Sequence, residues 1–244
     1  MQTFFRKSLA LLGWIISAGL VSGQAPDPVK AELITLGWEA NVSNLWFMSK
    51  EGPRELNAYE RGFSSPEQYI GPPEIAFYGD RTALSLPPEK RPTPIALAKL
   101  SPKGGQFLLI LSRKPAADEG WDVRVIDNSA ANFPAGAYRV MNLTKLAVQV
   151  ALDKKITPLA GPGVTIINPS AGASSRDISF GVAVGNEVVY SSAWGYRDTR
   201  RTTVFIVTDP ESRGGINVRR FYQAVIPSEQ AELEARRGAV RSAE

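Results

Sequence analysis

The sequence of 244 residues contains no histidine and no cysteine. Histidine is the commonest general base and metal ligand, and the cysteine thiolate is a common nucleophile, so both absences remove chemistry. Zinc, copper and haem sites and Ser-His-Asp catalysis are excluded on this ground. We therefore expect no metal and no cofactor, and a fold that is stabilised by its core without disulfides.

Carboxylates are the remaining candidates for catalysis, as in glycoside hydrolysis by two acidic side chains. No pair has a spacing that marks a catalytic site, and each candidate is more simply a solvated loop charge. A calcium loop of the DxDxDG type is also missing, although a weak site near residues 118–122 stays open. The acidic candidates are Glu60, Glu67, Glu74, Asp80, Asp118, Glu119 and Asp122.

Neither a charge excess nor a phosphate-binding motif points to nucleic acid or nucleotide. The chain has 28 basic and 24 acidic residues, without a basic stripe. Gly161, Gly163, Gly214 and Gly215 lie in turns with no following helix signal, and no Walker or dinucleotide motif occurs. We expect no nucleic-acid partner.

Long hydrophobic runs are absent except near the start of the chain. Arg6 and Lys7 precede an apolar run at residues 8–20, and the small residues Ser22, Gly23 and Ala25 follow it. The run is shorter than the roughly 20 residues that span a bilayer, so residues 1–25 are predicted to be a cleaved signal peptide rather than an anchor. We expect an exported protein, periplasmic or secreted, with no membrane span after cleavage.

The rest of the chain has the period-two pattern of β-strands. The clearest stretch is residues 133–169, where alternation places Leu146, Val148, Val150 and Leu152 on one buried face. The continuous apolar run at residues 106–112 indicates a central strand covered on both faces. By contrast, residues 54–73 have no steady period and are predicted to be a long surface loop.

The strand pattern predicts an all-β protein of two immunoglobulin-like sandwich halves in tandem, residues 26–126 and 134–226. Residues 107–126 and 203–221 share an order of features: an apolar strand, a proline, a glycine-bearing loop and a strand containing Val-Arg. That similarity suggests two related units, although any two hairpins can resemble each other in this way. A charged tail follows at residues 227–244, with a short helix that begins near Ser228.

Aromatic residues are the only ones that suggest a ligand. Flat rings stack on the apolar faces of sugars, and aromatic residues in irregular segments are candidates for such a platform. The alternative is that the rings fill the core. The ligand-binding candidates are Tyr59, Tyr69, Trp194, Tyr196 and Arg197.

The phrase FPAGAYRVMNLT at residues 133–144, followed by LAGPG at 159–163, resembles a group of uncharacterised exported bacterial β-sandwich proteins. In that group a phrase F-P-x-G-x-x-R-x-x-N-L precedes a short strand pair and a Pro-Gly turn. The resemblance covers the second half best. It implies a fold and an export route, but no activity and no catalytic residue.

Together these observations predict a non-enzymatic cell-envelope or secreted interaction protein, with an envelope protein or a polysaccharide as its partner. The alternative is a carbohydrate-binding module or a carboxylate-based glycoside hydrolase that uses the loop aromatics.

Overall fold

A computed structural model describes residues 27–114, 120–169 and 175–225. The protein is all-β, as predicted, and the helical segments of the described residues are three 3₁₀ turns at Arg81–Ser85, Pro88–Lys90 and Arg213–Gly215. The predicted signal peptide and the predicted charged tail lie outside the described residues. Within them, no helix has the length and apolar character needed to cross a bilayer.

Sixteen strands are described, eight in each half of the chain. The N-terminal half contains β1 (Val29–Gly37), β2 (Val42–Ser49), β3 (Gly52–Ala58), β4 (Glu67–Gly71), β5 (Glu74–Phe77), β6 (Ala96–Lys99), β7 (Gly105–Arg113) and β8 (Trp121–Asp127). The C-terminal half contains β9 (Tyr138–Asn142), β10 (Val148–Leu152), β11 (Lys155–Leu159), β12 (Gly163–Ile167), β13 (Ser175–Val184), β14 (Glu187–Arg197), β15 (Arg200–Thr208) and β16 (Ile216–Ala224).

The two halves share one strand order. One sheet of the N-terminal half has the order β4-β1-β7-β8, and its counterpart is β12-β9-β15-β16. In each sheet the two central strands are parallel and the outer pairs antiparallel. The hairpins β2-β3 and β5-β6 meet through a bridge between Trp46 and Tyr78, and correspond to the sheet β11-β10-β13-β14. The similar segments 107–126 and 203–221 therefore occupy equivalent positions. The finer assignment, to the immunoglobulin-like class, stays a prediction.

Three apolar clusters hold the sheets together as stacked layers. The first lies inside the N-terminal half, between the β1-β7 sheet and the two hairpins. The second fills the C-terminal half. The third joins the halves, because Ile34, Leu36, Leu108 and Ile110 on β1 and β7 pack against Met141, Phe205 and Phe221 of β9, β15 and β16. Strand β7 is thus covered on both faces, as its continuous apolar run predicted.

Two local predictions are wrong. Residues 54–73 are not one long loop, because they contain most of β3 and all of β4. Short edge strands with proline and glycine have too few alternating positions to be recognised. Leu146 lies outside β10 and is 42% exposed, since the strand begins at Val148.

The junction between the halves is held by a buried arginine. Arg139 Nη1 donates to Asn128 Oδ1 (3.0 Å) and Nη2 to the Asp127 carbonyl (2.8 Å), and the guanidinium lies 4.0 Å from the centre of the Phe133 ring. Arg201 Nη1 donates to the Asn128 carbonyl (2.9 Å). Phe133 and Arg139 are two positions of the F-P-x-G-x-x-R-x-x-N-L phrase, so part of the phrase fixes this junction.

Asn142, the next position of that phrase, organises the turns that follow it. Its Nδ2 donates to the carbonyls of Leu146 (2.7 Å) and Ala160 (3.2 Å). Its Oδ1 accepts from the backbone N–H (3.1 Å) and the hydroxyl (2.8 Å) of Thr144. Both the nitrogen and the oxygen of the Asn142 amide are therefore paired, which is what a fully enclosed side-chain amide requires.

Candidate functional site

The predicted ligand-binding residues do not form one surface. Tyr69 is 1% exposed and Trp194 is 3% exposed, so both are core residues, contrary to the surface role predicted for them. Tyr59 is 51% exposed on the N-terminal half. Tyr196 is half-buried and Arg197 is exposed, both at the end of β14. Tyr69 and Trp194 therefore do not belong to an exposed aromatic platform.

Trp194 is nevertheless the buried end of an ordered stack of side chains. It stacks on Phe180 with ring centres 3.9 Å apart and lies nearly parallel to Tyr138 at 6.2 Å. Burial is the largest influence on Tyr138 and raises the pKa of its phenol, while a hydrogen bond with Thr202 and the charge of Arg200 oppose the rise. These rings make a rigid floor beneath the edge of the C-terminal sandwich.

Arginines and tyrosine continue the stack toward solvent. The Arg220 guanidinium carbon lies 4.7 Å from the Trp194 ring centre and 4.7 Å from that of Tyr222. Arg200 covers Tyr222 at 3.9 Å. The resulting order is Trp194, Arg220, Tyr222, Arg200, an alternation of rings and guanidinium groups. We call these four residues the arginine ladder.

Strand register explains why the ladder forms. Val204 of β15 faces the core of the C-terminal half, and Arg220 is its partner on β16. Tyr222, two residues further on, shares that face because side chains alternate along a strand. Both β14 and β16 are terminal strands of their sheets, so these side chains extend across the open side of the sandwich.

The ladder carries positive charge without a carboxylate partner in the described part of the chain. The ion pairs found there involve neither Arg200 nor Arg220. Arg200 instead donates from Nη2 to the Gly195 carbonyl. Beside the ladder, Arg176 donates to Asp153 Oδ2 (3.0 Å) and lies 5.7 Å from the Tyr196 ring.

The geometry decides which ligands the ladder suits. Two guanidinium groups lie over the Tyr222 ring, and Phe180 and Arg220 lie over the Trp194 ring, so less ring surface is left for stacking with a sugar or a base. Arg220 is exposed and Arg200 is half-buried. Arg220 lies against two rings and Arg200 against one, which restricts the two guanidinium groups, and planar guanidinium donors suit an anion.

Three of the carboxylates that the sequence offered as catalytic candidates have structural partners. Glu67 pairs with Arg54 at 3.7 Å, and Glu74 pairs with Lys99 at 3.5 Å. Asp80 Oδ1 accepts from the Thr82 N–H, which lowers the Asp80 pKa and caps a 3₁₀ turn. Asp118 and Glu119 lie outside the described residues. In the described ranges, no group of three or more acidic side chains is placed to hold a metal ion.

Other concave surfaces occur in the described part of the chain. A groove of about 770 Å³ lies between the edges of β6 and β8, beside Leu97, Trp121 and Arg124. A shallower one of about 300 Å³ covers small residues on the outer face of β10, β13 and β14, beside Ile156 and Val188. The groove brings Trp121 together with both basic and acidic side chains, Lys114, Arg124 and Asp122, and the smaller surface has no charged residue.

No protein-family model matches the chain, and no match is found among curated proteins. The site therefore has to be interpreted from its own geometry. Sequence reasoning missed Arg220 and Tyr222 as ligand-binding residues, although their i, i+2 spacing in a predicted strand was a signal that they share a face.

Proposed function

We propose that the protein is an exported, non-enzymatic protein of the cell envelope or its surroundings that binds an acidic polysaccharide through the arginine ladder. The observation that carries the proposal is Tyr222, which is 38% exposed and lies against two guanidinium groups that have no ion-pair partner in the described part of the chain.

The arrangement supports anion binding because the arginines are already ordered. An arginine side chain loses about 2 kcal/mol of rotamer entropy when it is fixed from a free state. Stacking on Tyr222 and Trp194 restricts that freedom before a ligand arrives, so less is lost on binding. The exposed Arg220 guanidinium then offers donors to a carboxylate, sulfate or phosphate oxygen, and the half-buried Arg200 adds its charge beside it.

The shape and chemistry of the surface favour a linear polyanion. The centre of an interface between folded proteins is usually more apolar than the rest of the surface, whereas two cationic side chains stand at the centre of this one. Single-stranded nucleic acid is bound largely by base stacking, and two guanidinium groups already lie over Tyr222, the exposed ring of the ladder. A flexible acidic chain needs only charge and hydrogen bonds along an exposed edge.

The test is binding of the purified protein to polygalacturonate, heparin, polyphosphate and neutral dextran by isothermal titration calorimetry. We expect binding to the acidic polysaccharides at about 50 mM NaCl that weakens strongly at about 500 mM, because salt screens exposed charges. Arg220→Gln and Arg200→Gln should each weaken binding about tenfold, the loss of one charge-assisted contact.

The matched control is Arg213→Gln. Arg213 is an exposed arginine of the same half of the chain, and its guanidinium pairs with Glu187 at 2.9 Å. It should bind as the unchanged protein does. Equal losses for Arg213→Gln and Arg220→Gln would show that only net charge matters. Binding to dextran, or to polyphosphate alone, would overturn the assignment to an acidic polysaccharide.

A further inference from the structure

The described chain leaves the C-terminal sandwich beside the arginine ladder. Ala224, the last residue of β16, pairs with Arg200 at the start of β15. The next residue, Val225, donates its N–H to the Thr199 carbonyl at 2.8 Å. Whatever follows Val225 therefore begins within a few residues of two ladder positions, Arg200 and Tyr222.

The sequence that follows has the opposite charge. Residues 226–235 contain Glu229, Glu232 and Glu234 and no lysine or arginine, and the basic residues Arg236, Arg237 and Arg241 come only afterwards. Glu232 is seven residues beyond Val225, a length of chain that spans at most about 25 Å when extended. The acidic residues are thus within reach of the guanidinium groups.

We propose that the acidic segment, residues 229–234, binds the arginine ladder and competes with the polysaccharide for it. The competition rests on the function proposed above, whereas the binding of the segment to the ladder does not. A short tether gives an effective concentration in the millimolar range. Even weak contacts between glutamates and the ladder arginines then occupy the site when no polyanion is present, and a polyanion must displace them.

The first experiment measures competition without changing the length of the chain. The variant Glu229→Gln/Glu232→Gln/Glu234→Gln should bind heparin and polygalacturonate about threefold or more tightly at low salt, because a competitor at a concentration above its own dissociation constant lowers apparent affinity by that order. At high salt the difference should disappear. The control, Arg236→Gln/Arg237→Gln/Arg241→Gln, should show no gain.

The second experiment needs no polysaccharide. In nitrogen-15 NMR spectra of the protein alone, the side-chain Nε–H resonances of Arg200 and Arg220 should shift between the unchanged protein and the glutamate-to-glutamine variant, while that of Arg213 stays in place. Unchanged Arg200 and Arg220 resonances would overturn the proposal. Shifts without any polysaccharide binding would leave the segment contact standing and refute the proposed function instead.

Discussion

At the scale of single residues, the most consequential side chain is a buried cation. Arg139 is fully buried, and burial together with the charge of Arg201 lowers its pKa to about 10, while Asp127 acts in the opposite direction. A charge is retained in such a place only when its donors are satisfied. Its hydrogen bonds go to Asn128 and Asp127, so the charge holds together the segment that connects the two halves.

Replacing Arg139 by methionine should lower the free energy of unfolding by about 2 kcal/mol. Two acceptors lose their donor, at roughly 1–3 kcal/mol for each that stays buried, and relief of the arginine's desolvation offsets part of that loss. Urea unfolding followed by fluorescence measures the change. Arg213→Met, an exposed ion-pair residue, is the control and should change stability by less than about 1 kcal/mol. A stabilised Arg139→Met protein would show that desolvation outweighs the hydrogen bonds.

At the scale of elements, the position at which a strand begins determines which of two leucines in one alternating segment is buried. Leu146 and Leu152 belong to one alternating sequence, yet only Leu152 is in β10 and buried, at 1% exposure. Asn142 and Thr144 bind the backbone around Leu146 and form a turn there before β10 begins. Local side-chain hydrogen bonds of this kind compete with strand pairing.

Leu152→Ala should therefore destabilise the protein by about 2–5 kcal/mol, the usual result of removing a buried leucine side chain. The same substitution at Leu146 should change stability by less than about 0.5 kcal/mol, because the side chain is largely exposed. Parallel urea titrations of the two variants make the comparison. Similar losses at both positions would mean that Leu146 is buried in solution and that β10 extends back to it.

At the scale of the whole molecule, the two halves are joined by an apolar face. Seven fully or nearly buried residues form the shared cluster, and five partly buried ones pack around it. Interfaces between independent domains are usually more polar and smaller than a core. The predicted division into residues 26–126 and 134–226 implies that the two halves fold independently of each other. The packing across this apolar face determines whether they do so in solution.

We expect one cooperative thermal transition for the unchanged protein, because separating the halves would expose this apolar face. Leu108→Ala/Phe205→Ala should lower the melting temperature and separate the transition into two, since each substitution removes about 2–5 kcal/mol of packing at or next to the interface. Differential scanning calorimetry measures both. Leu97→Ala, at an exposed site on β6, is the control. Two transitions in the unchanged protein would instead show independent domains.

The sequence by itself determined the fold class and, because it contains no histidine and no cysteine, that imidazole and thiolate chemistry are not available to this chain. Alternation at Val148, Val150 and Leu152 required a strand with one buried face, and all three are core residues. The continuous run of β7 required cover on both sides, which the stacked sheets provide. Such patterns are local, and burial of a periodic face determines them directly.

Only the tertiary structure decided which aromatic residues reach solvent and which arginines they meet. Trp194 and Arg220 are far apart in sequence, and strand pairing alone does not join β14 to β16. Period two tells which side chains share a face, but not which face meets the core or which edges lie side by side. For that reason Tyr69 and Trp194 were wrongly predicted to lie at the surface. The strand that contains Tyr222 was predicted, but only the packing of the sheets shows that Tyr222 belongs to the candidate site.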